Sequence, residues 1–208
     1  MSDPTDPQRA TVAAYDASAG TYAAASPVVP NSVREAAEAF ARRLPARARV
    51  LEIGSASGRD AALMEQLGLR VRRTDITPAF VQLLREHGHD AEVVDPLTGD
   101  LADPAGPYDG VWANASLLHV ARRDLSTVLE RLREVSRPGG ILRFSVKEGD
   151  GEAWSTHGAV VAPRHFTFWR AEPLRDIVTA AGWVEVSIRE GIAGKRRETW
   201  LEVTAVRP

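Results

Sequence analysis

Short apolar runs alternate with amphipathic stretches along the chain from Arg49 onward. The apolar runs span four to eight residues and are bounded by turn-forming residues, so they predict buried strands. The stretches between them carry apolar residues at three- and four-residue spacing, which predicts helices packed on a sheet. Strands that alternate with helices are typical of βαβ units. The predicted fold class is therefore α/β, with helices on both faces of the sheet.

Seven segments of this pattern are predicted to be strands. They span residues 49–53, 69–74, 91–94, 108–113, 141–146, 183–188 and 199–206. The loop between the last two is short and contains glycine, so these two strands should run antiparallel. The prediction is a Rossmann-like, mostly parallel, seven-stranded sheet with one antiparallel strand near its end.

Two helices are predicted before the sheet begins, as a short helical N-terminal cap over residues 1–45. The first is expected over Thr11–Tyr22. The second should begin at Ser32, where Glu35 would complete a capping box, and end before Pro45. Residues 46–208 would then form one domain around the sheet, without a separate substrate domain.

The amino-acid composition excludes several classes of protein and of functional site. Of the 208 residues, 26 are Lys or Arg and 28 are Asp or Glu, a formal charge of −2, so no basic excess favours nucleic acid. The absence of cysteine excludes disulfides, thiolate metal sites and cysteine nucleophiles, and no histidine or carboxylate set has metal spacing. No signal peptide or long apolar run is evident, so we expect no membrane and a cytoplasmic location.

A glycine-containing turn after the first strand predicts a ligand site. Gly54 and Gly58 bracket a tight passage from strand to helix, where the backbone can approach a ligand. Asp75 lies 21 residues after Gly54 and ends the next strand, where a carboxylate can accept both hydroxyls of a ribose. This pattern predicts an adenosine-containing cofactor at the carboxyl edge of the sheet.

The turn does not fit a dinucleotide or a nucleoside triphosphate. Gly54-Ser55-Ala56-Ser57-Gly58-Arg59 lacks the middle and last glycines of the dinucleotide fingerprint and the Gly-Lys-Ser/Thr ending of a P-loop. Glu52, just before the turn, is unfavourable beside a pyrophosphate but suits a ligand with an ammonium group. S-adenosylmethionine has an ammonium, a sulfonium and no phosphate.

Four segments in order resemble the class I S-adenosylmethionine-dependent methyltransferases. They are VLEIGSASGRD, TDIT, YDGVWANASLLHV and RPGGILRFSVKEGDGE. The resemblance spans roughly Tyr15 to Val206 and is strongest to small bacterial methyltransferases of mostly unassigned substrate. Ala56 stands where that family usually has its middle glycine.

The resemblance implies a role for each matching residue. Gly54, Ser55, Ala56 and Gly58 would line the methionine and ribose portions of the donor, and Glu52 would hold its amino-acid end. Asp75 would bind the ribose, Ile76 would pack on the adenine and Asp95 would bind its amino group. Asn114 and Ala115 would lie beside the methionine portion, and Tyr15 and Tyr22 would belong to a lid segment.

Several of these residues could instead have purely structural roles. Asp75 could cap the helix that begins at Thr77-Pro78, and Asp95 could be a turn residue before a proline. Tyr15 and Tyr22 could be core aromatics of an amphipathic helix.

The acceptor side of the site is less defined in the sequence. His119 follows the fourth strand and is the first candidate for a general base, and Glu148 after the fifth strand is the second. Either could instead be structural. The aromatic stretch 165–170 could form a pocket wall or pack in the core, and Lys195-Arg196-Arg197 could grip an acid or form a hairpin tip.

The predicted function is methyl transfer to a small molecule or a peptide. An RNA or protein methyltransferase and a non-catalytic nucleoside- or NAD-binding sensor are the alternatives. Replacing Asp75 by alanine should weaken cofactor binding and leave the fold intact. Replacing His119 by alanine should lower turnover more than cofactor affinity. The acceptor atom, the substrate and the oligomeric state are not predicted.

Overall fold

The computed structural model describes residues 6–193 and 198–208. Seven α-helices are formed in this part of the chain: α1 (Pro7–Asp16), α2 (Ala19–Ala25), α3 (Asn31–Arg42), α4 (Arg59–Gln66), α5 (Pro78–Glu86), α6 (Leu125–Val135) and α7 (Ala171–Ala180). A short 3-10 helix spans Leu117–His119. None of the described helices is long and apolar enough to cross a membrane.

The described residues form nine strands. They are β1 (Arg49–Ile53), β2 (Arg70–Asp75), β3 (Ala91–Val93), β4 (Tyr108–Ala113), β5 (Ser136–Glu148), β6 (Glu152–Ser155), β7 (Arg164–Trp169), β8 (Val184–Ala193) and β9 (Glu198–Val206). The predicted seven are all present, and the sequence pattern missed β6 and β7. The basic segment Lys195-Arg196-Arg197 lies outside the described residues.

The α/β fold class and the mostly parallel sheet are confirmed. The strands follow the order β3-β2-β1-β4-β5, with every neighbouring pair parallel, and β9 then adds antiparallel to β5 and pairs with β8. The chain leaves β1 toward β3 on one side and returns to β4 on the other. Such a reversal of strand order opens a crevice at the carboxyl ends of the strands, where α/β proteins bind ligands.

Alternate residues of the central strands pack into separate hydrophobic cores on the two faces of the sheet. In β1, Leu51 and Ile53 pack in the larger core beneath α6 and α7, whereas Val50 packs in the other core beneath α3 and α4. In the same way Val111 and Trp112 of β4 point to opposite faces. Because both faces are covered, the central strands are apolar nearly throughout, which is why the sequence predicted them correctly.

The N-terminal segment differs from its predicted form. The single helix expected over Thr11–Tyr22 is two helices, which begin at Pro7 behind the Asp6 cap and break at Ala17–Ser18. The expected Ser32–Glu35 capping box does not form, because α3 starts one residue earlier, behind Pro30, without a side-chain cap.

The hairpin of β6 and β7 extends the sheet at the ligand-binding edge. Lys147 of β5 pairs with Trp200 on one side and with Phe168 on the other. Since β9 occupies the first side, β7 lies on the side that β4 occupies earlier along β5, beyond the end of β4. The hairpin therefore stands directly above the carboxyl end of β4.

Candidate active site

A cavity of about 840 Å³ lies at the carboxyl ends of β1 and β4. It is lined by the turn after β1, the ends of β2 and β3, the loop after β4, and residues of α1 and β7. Every residue predicted to contact the cofactor lines this cavity except Gly58, and so does His119. The topology thus brings the predicted residues together from five separate segments of the chain.

The turn after β1 needs glycine for two different contacts. Gly54 has a φ of +80°, and a Cβ there would lie 2.5 Å from the Cβ of Ser116 in the loop after β4. Gly58 caps α4 with a φ of +77°, and a Cβ there would lie 2.5 Å from a methyl group of Leu84. Gly54 therefore lets the turn after β1 meet the loop after β4, whereas Gly58, which does not line the cavity, lets the start of α4 approach α5.

Asp75 is buried at the end of β2 and accepts two backbone hydrogen bonds. Its Oδ2 accepts from the N–H of Ala56 at 2.8 Å, and its Oδ1 accepts from the N–H of Thr77 at 2.8 Å. Burial raises the pKa of this carboxyl above its ordinary value, against the effect of these hydrogen bonds. Asp75 therefore both stabilises the turn that leads into α5 and places a carboxylate on the cavity wall, but it does not cap α5, whose N-cap is Thr77.

Glu52 is buried on β1 behind the turn. The hydroxyl of Ser55 donates to its Oε2 at 2.5 Å. Burial, followed by the negative charge of Asp60, raises the pKa of Glu52 to about 8. A cation placed against this carboxyl would favour its ionised form, which is the electrostatic requirement of an ammonium-binding site.

Asp60, in the first turn of α4, is a cavity residue that the sequence analysis missed. Its Oδ2 accepts from the indole N–H of Trp112 at 3.2 Å and from the amide of Asn114 at 2.9 Å. The Oδ1 of Asn114 in turn accepts from Arg143 at 2.8 Å and from the hydroxyl of Ser145 at 2.9 Å. The sequence could have pointed to Asp60, because it is an acidic residue two positions after Gly58, at the N-terminus of the helix that follows the glycine turn.

The remaining cofactor candidates lie on the rim of the cavity. Asp95 accepts from the N–H of Leu97 and the hydroxyl of Thr98, both at 2.9 Å, so its carboxylate stabilises its own turn as well as lining the cavity. Ala115 has a φ of +53°, and its N–H donates to Ser145 at 2.9 Å. Ile76 also lines the wall, next to Asp75.

Aromatic side chains cover the cavity from the N-terminal side. Tyr15 packs against Tyr22, Phe80 and His119, with ring centroids 5.4 to 6.0 Å apart. The Tyr15 hydroxyl lies 3.0 Å from Nε2 of His119 and accepts from Arg164 at 3.3 Å. Burial raises the pKa of both tyrosine hydroxyls. The two tyrosines thus join the cavity wall and do not pack in the interior of a helix pair.

His119 has both ring nitrogens engaged. Its Nδ1 lies 2.6 Å from the carbonyl oxygen of His165, so Nδ1 carries the proton and Nε2 accepts from the Tyr15 hydroxyl. Removal from water lowers the pKa of His119 to about 4. The imidazole is therefore neutral at physiological pH.

Glu148, the second candidate base, is not brought to the cavity. Its carboxylate is ion-paired with Arg170, which also pairs with Asp150. Glu148 ends β5 at the foot of the hairpin, so its side chain stabilises that junction on the outer surface. The expectation that it faces the acceptor is wrong.

Two observations show that these residues fit S-adenosylmethionine. The hydroxyl of Ser116 is buried on the cavity wall without a hydrogen-bond partner in the described residues. Ser116 lies next to Gly54, where the Cβ of any other residue would collide with the Ser116 side chain. Glu52 and Asp75 supply the carboxylates that an ammonium group and a ribose require.

Within residues 6–193 and 198–208, no group of three or more His, Asp or Glu side chains could hold a metal ion.

Known proteins with similar sequences are methyltransferases. A family described as a methyltransferase domain matches residues 29–188. A ubiquinone biosynthesis O-methyltransferase from Xanthomonas axonopodis pv. citri (strain 306) is 32% identical over 110 residues, which cover 50% of this chain. The match spans 45% of that relative, so the chain corresponds to about half the length of the curated relatives it matches.

Solved structures share the fold over nearly the whole chain. A 1,6-didemethyltoxoflavin-N1-methyltransferase from Burkholderia thailandensis, with bound 1,6-didemethyltoxoflavin and S-adenosylhomocysteine, has a TM-score of 0.73 at 23% identity. The alignment covers 100% of this chain and 92% of that one. The CcbJ methyltransferase from Streptomyces caelestis has a TM-score of 0.68 at 17% identity, covering 92% and 98% of the two chains. The family match over residues 29–188, more than half of the chain, identifies it as a member of the S-adenosylmethionine-dependent methyltransferases.

Proposed function

We propose that the protein transfers the methyl group of S-adenosylmethionine to an oxygen or nitrogen atom of a small molecule. The observation that carries the proposal is that one cavity combines two kinds of lining. Buried carboxylates and the glycine turn form the part that we assign to the donor, and side chains from α1, the 3-10 helix and β7 form the part that we assign to the acceptor. An enclosed, partly aromatic acceptor end suits a compact molecule.

The likeness to two kinds of methyltransferase supports this class of acceptor. One relative is named for an O-methyl transfer in ubiquinone biosynthesis, and one structural neighbour for an N-methyl transfer to a bound heterocycle. Both names point to small molecules with oxygen or nitrogen acceptors. A peptide acceptor is the alternative, and incubation with separate pools of acceptors distinguishes the two.

In this proposal the chain contributes alignment, exclusion of water and control of one proton. S-adenosylmethionine, when bound, supplies an electrophilic methyl group on a sulfonium. Glu52 would hold the ammonium end of the donor and Asp75 its ribose, with Ser116 beside Gly54 at the methionine portion. α1 would act as a lid: Asp16 accepts from the N–H of Ala79 at 2.8 Å, and Thr11 accepts from the N–H of His165 at 2.9 Å. These contacts tie α1 to both ends of the cavity.

His119 would act on the acceptor through Tyr15 and not directly. Its Nε2 is occupied by the Tyr15 hydroxyl, so a proton that leaves the acceptor can reach the imidazole only by way of that hydroxyl. We therefore assign His119 the role of holding Tyr15 on the cavity wall. Replacement of His119 by alanine should lower turnover more than donor affinity.

Two measurements test the proposed function. Calorimetry with S-adenosylmethionine, S-adenosylhomocysteine and NAD should give binding of the first two alone; binding of NAD alone would overturn it. Labelled S-adenosylmethionine is then incubated with separate pools of phenols, nitrogen heterocycles and short peptides, and products that gain a methyl group are detected by mass. Turnover in the peptide pool alone would overturn the small-molecule assignment, and donor binding without turnover in any pool would favour a sensor.

A further inference from the structure

Two alanines with a left-handed backbone lie on the cavity wall. Ala56 has a φ of +46° and Ala115 a φ of +53°, and both line the cavity. A left-handed conformation is unfavourable for a residue with a Cβ, and residues held in it are concentrated at functional sites. Each of the two loops that meet at Gly54 and Ser116 therefore contains one such alanine.

A side chain from the neighbouring outer strand binds the N–H of each alanine. The carboxylate of Asp75 on β2 accepts from Ala56 at 2.8 Å, as described above. The hydroxyl of Ser145 on β5 accepts from Ala115 at 2.9 Å. Because β2 pairs with β1 and β5 pairs with β4, the same arrangement is present on either side of the two central strands.

Ser145 lies where β4 leaves the sheet. The last pair of the β4–β5 ladder joins Ala113 to Phe144, so Ser145 is one residue beyond it. Ser145 is only 4% exposed, and its hydroxyl gives Ala115 an acceptor where the backbone ladder has ended. The same hydroxyl donates to Oδ1 of Asn114 at 2.9 Å. Since a hydroxyl can donate and accept at once, one side chain contacts both residues that follow β4.

Asn114 has further partners that do not depend on Ser145. Its amide donates to Asp60 at 2.9 Å, and its Oδ1 also accepts from Arg143 at 2.8 Å. Within the described residues, the N–H of Ala115 donates to Ser145 alone. Removing the hydroxyl should therefore release Ala115 and leave Asn114 in place.

We propose that Ser145 is a positioning residue for methyl transfer, because it holds Ala115 in the left-handed conformation and so sets the backbone path of the loop beside the donor. This proposal rests on the donor site of the proposed function, in which Asn114 and Ala115 lie beside the methionine portion. The loop continues into Ser116, which lies against Gly54. A change of φ at Ala115 would move Ser116 relative to the turn after β1 and alter the width of the cavity.

A double-mutant cycle, measured by calorimetry with S-adenosylhomocysteine, tests this role. S145A should weaken binding about tenfold, the loss of about one hydrogen bond. Glycine adopts a positive φ without strain, so in the A115G background the same substitution should weaken binding less than about threefold. An equal loss in both backgrounds would overturn the proposal, because Ser145 would then act by a route other than the conformation of Ala115.

Ser136 provides a matched control at the opposite end of β5. It is also buried, and its hydroxyl donates to the carbonyl oxygen of Leu132 at 2.7 Å, away from the cavity. S136A should lower the thermal stability, as S145A should, but bind S-adenosylhomocysteine like the parent protein. Binding weakened as much in S136A as in S145A would overturn the proposal, since the effect would then come from a general loss of stability.

Hydrogen exchange tests the contact in the parent protein and does not require a variant that folds. We expect the N–H of Ala115 to exchange at least about tenfold more slowly than the same N–H in an unstructured peptide. Exchange at the peptide rate would overturn the proposal. Failure of the parent protein to bind S-adenosylhomocysteine would instead contradict the donor site itself.

Discussion

Glu52 and Asp75 both place a buried carboxyl on the donor end of the cavity, but the protein holds them differently. Asp75 is fixed by hydrogen bonds from the N–H groups of Ala56 and Thr77. Glu52 has one neutral donor, the hydroxyl of Ser55, and a neighbouring negative charge on Asp60. Asp75 is therefore partly a structural residue, whereas the raised pKa of Glu52 leads us to expect that its protonation depends on the charge of a bound molecule.

Replacing Asp75 by alanine should reduce both stability and donor affinity. The change leaves the buried N–H of Thr77 and the partly buried N–H of Ala56 without their acceptor, at a cost of about 1–3 kcal/mol in the free energy of unfolding. This differs from the expectation, based on sequence alone, that the fold would stay intact. Urea unfolding and calorimetry with S-adenosylhomocysteine measure the two effects. Asp90→Ala, at an exposed position, is the control, and an unchanged urea midpoint in D75A would contradict the structural role.

Donor binding at pH 7 should release a proton from Glu52. With a pKa of about 8, the carboxyl is mostly protonated in the empty cavity, and an ammonium group favours its ionised form. Calorimetry in buffers of different ionisation enthalpy measures the released protons. E52Q should abolish the release and weaken binding, whereas Glu86→Gln on the exposed side of α5 should change neither. Equal proton release in E52Q and the parent protein would exclude Glu52 as its source.

At the scale of elements, the site depends on how closely two loops approach each other. The turn after β1 meets the loop after β4 at Gly54 and Ser116, where no additional carbon atom fits. The two loops come from neighbouring parallel strands, so a shift of either would change the width of the cavity.

Gly54→Ala should therefore weaken donor binding more than the same substitution at another glycine with a positive φ. Gly68 also has a positive φ, of +87°, but has open space around its missing side chain, so G68A should cost only the backbone strain of about 1–2 kcal/mol. G54A carries that strain and also displaces Ser116. Urea unfolding and donor titration compare the two variants. Equal donor affinity in G54A and G68A would show that the loop contact does not shape the cavity.

The sequence predicted β1 and β4, which are buried on both faces, and missed β7, whose residues show no clear strand pattern of their own. β1 and β4 are apolar runs whatever surrounds them, and the turn with Gly54 follows from a local pattern. β7 mixes polar and aromatic residues and is a strand because β6 and the end of β5 pair with it. In the same way, the hydrogen bond from the N–H of His165 to Thr11 joins two positions that no local pattern links.

For the whole molecule, two buried titratable groups give stability a pH dependence of opposite sign. Glu52, with its pKa raised to about 8, keeps a proton that the unfolded chain releases near pH 4.5, so its contribution to stability is lost as pH rises toward 8. His119, with its pKa lowered to about 4, stays neutral where the unfolded chain takes up a proton below pH 6.5. Its contribution is therefore lost as pH falls from 6.5 to 4.

Between pH 6.5 and 8 only the first of these two effects operates. The free energy of unfolding of the ligand-free protein should fall by about 1–2 kcal/mol over this window. Urea unfolding at several pH values measures the change. In E52Q the dependence should be flat, and saturating S-adenosylhomocysteine should reduce it, because its ammonium group partners the carboxylate. A rise in stability over the window would contradict the raised pKa.

The hairpin of β6 and β7 joins the sheet through two residue pairs, Lys147–Phe168 and Glu148–Trp169, beyond the end of β4. Its length can change without breaking any pairing among β1, β4 and β5. The pairing of the central strands and this part of the cavity wall are consequently encoded in separable stretches of the gene. Exchanging residues 149–169 for those of a relative should therefore change this part of the wall and leave the register of β1, β4 and β5 in place.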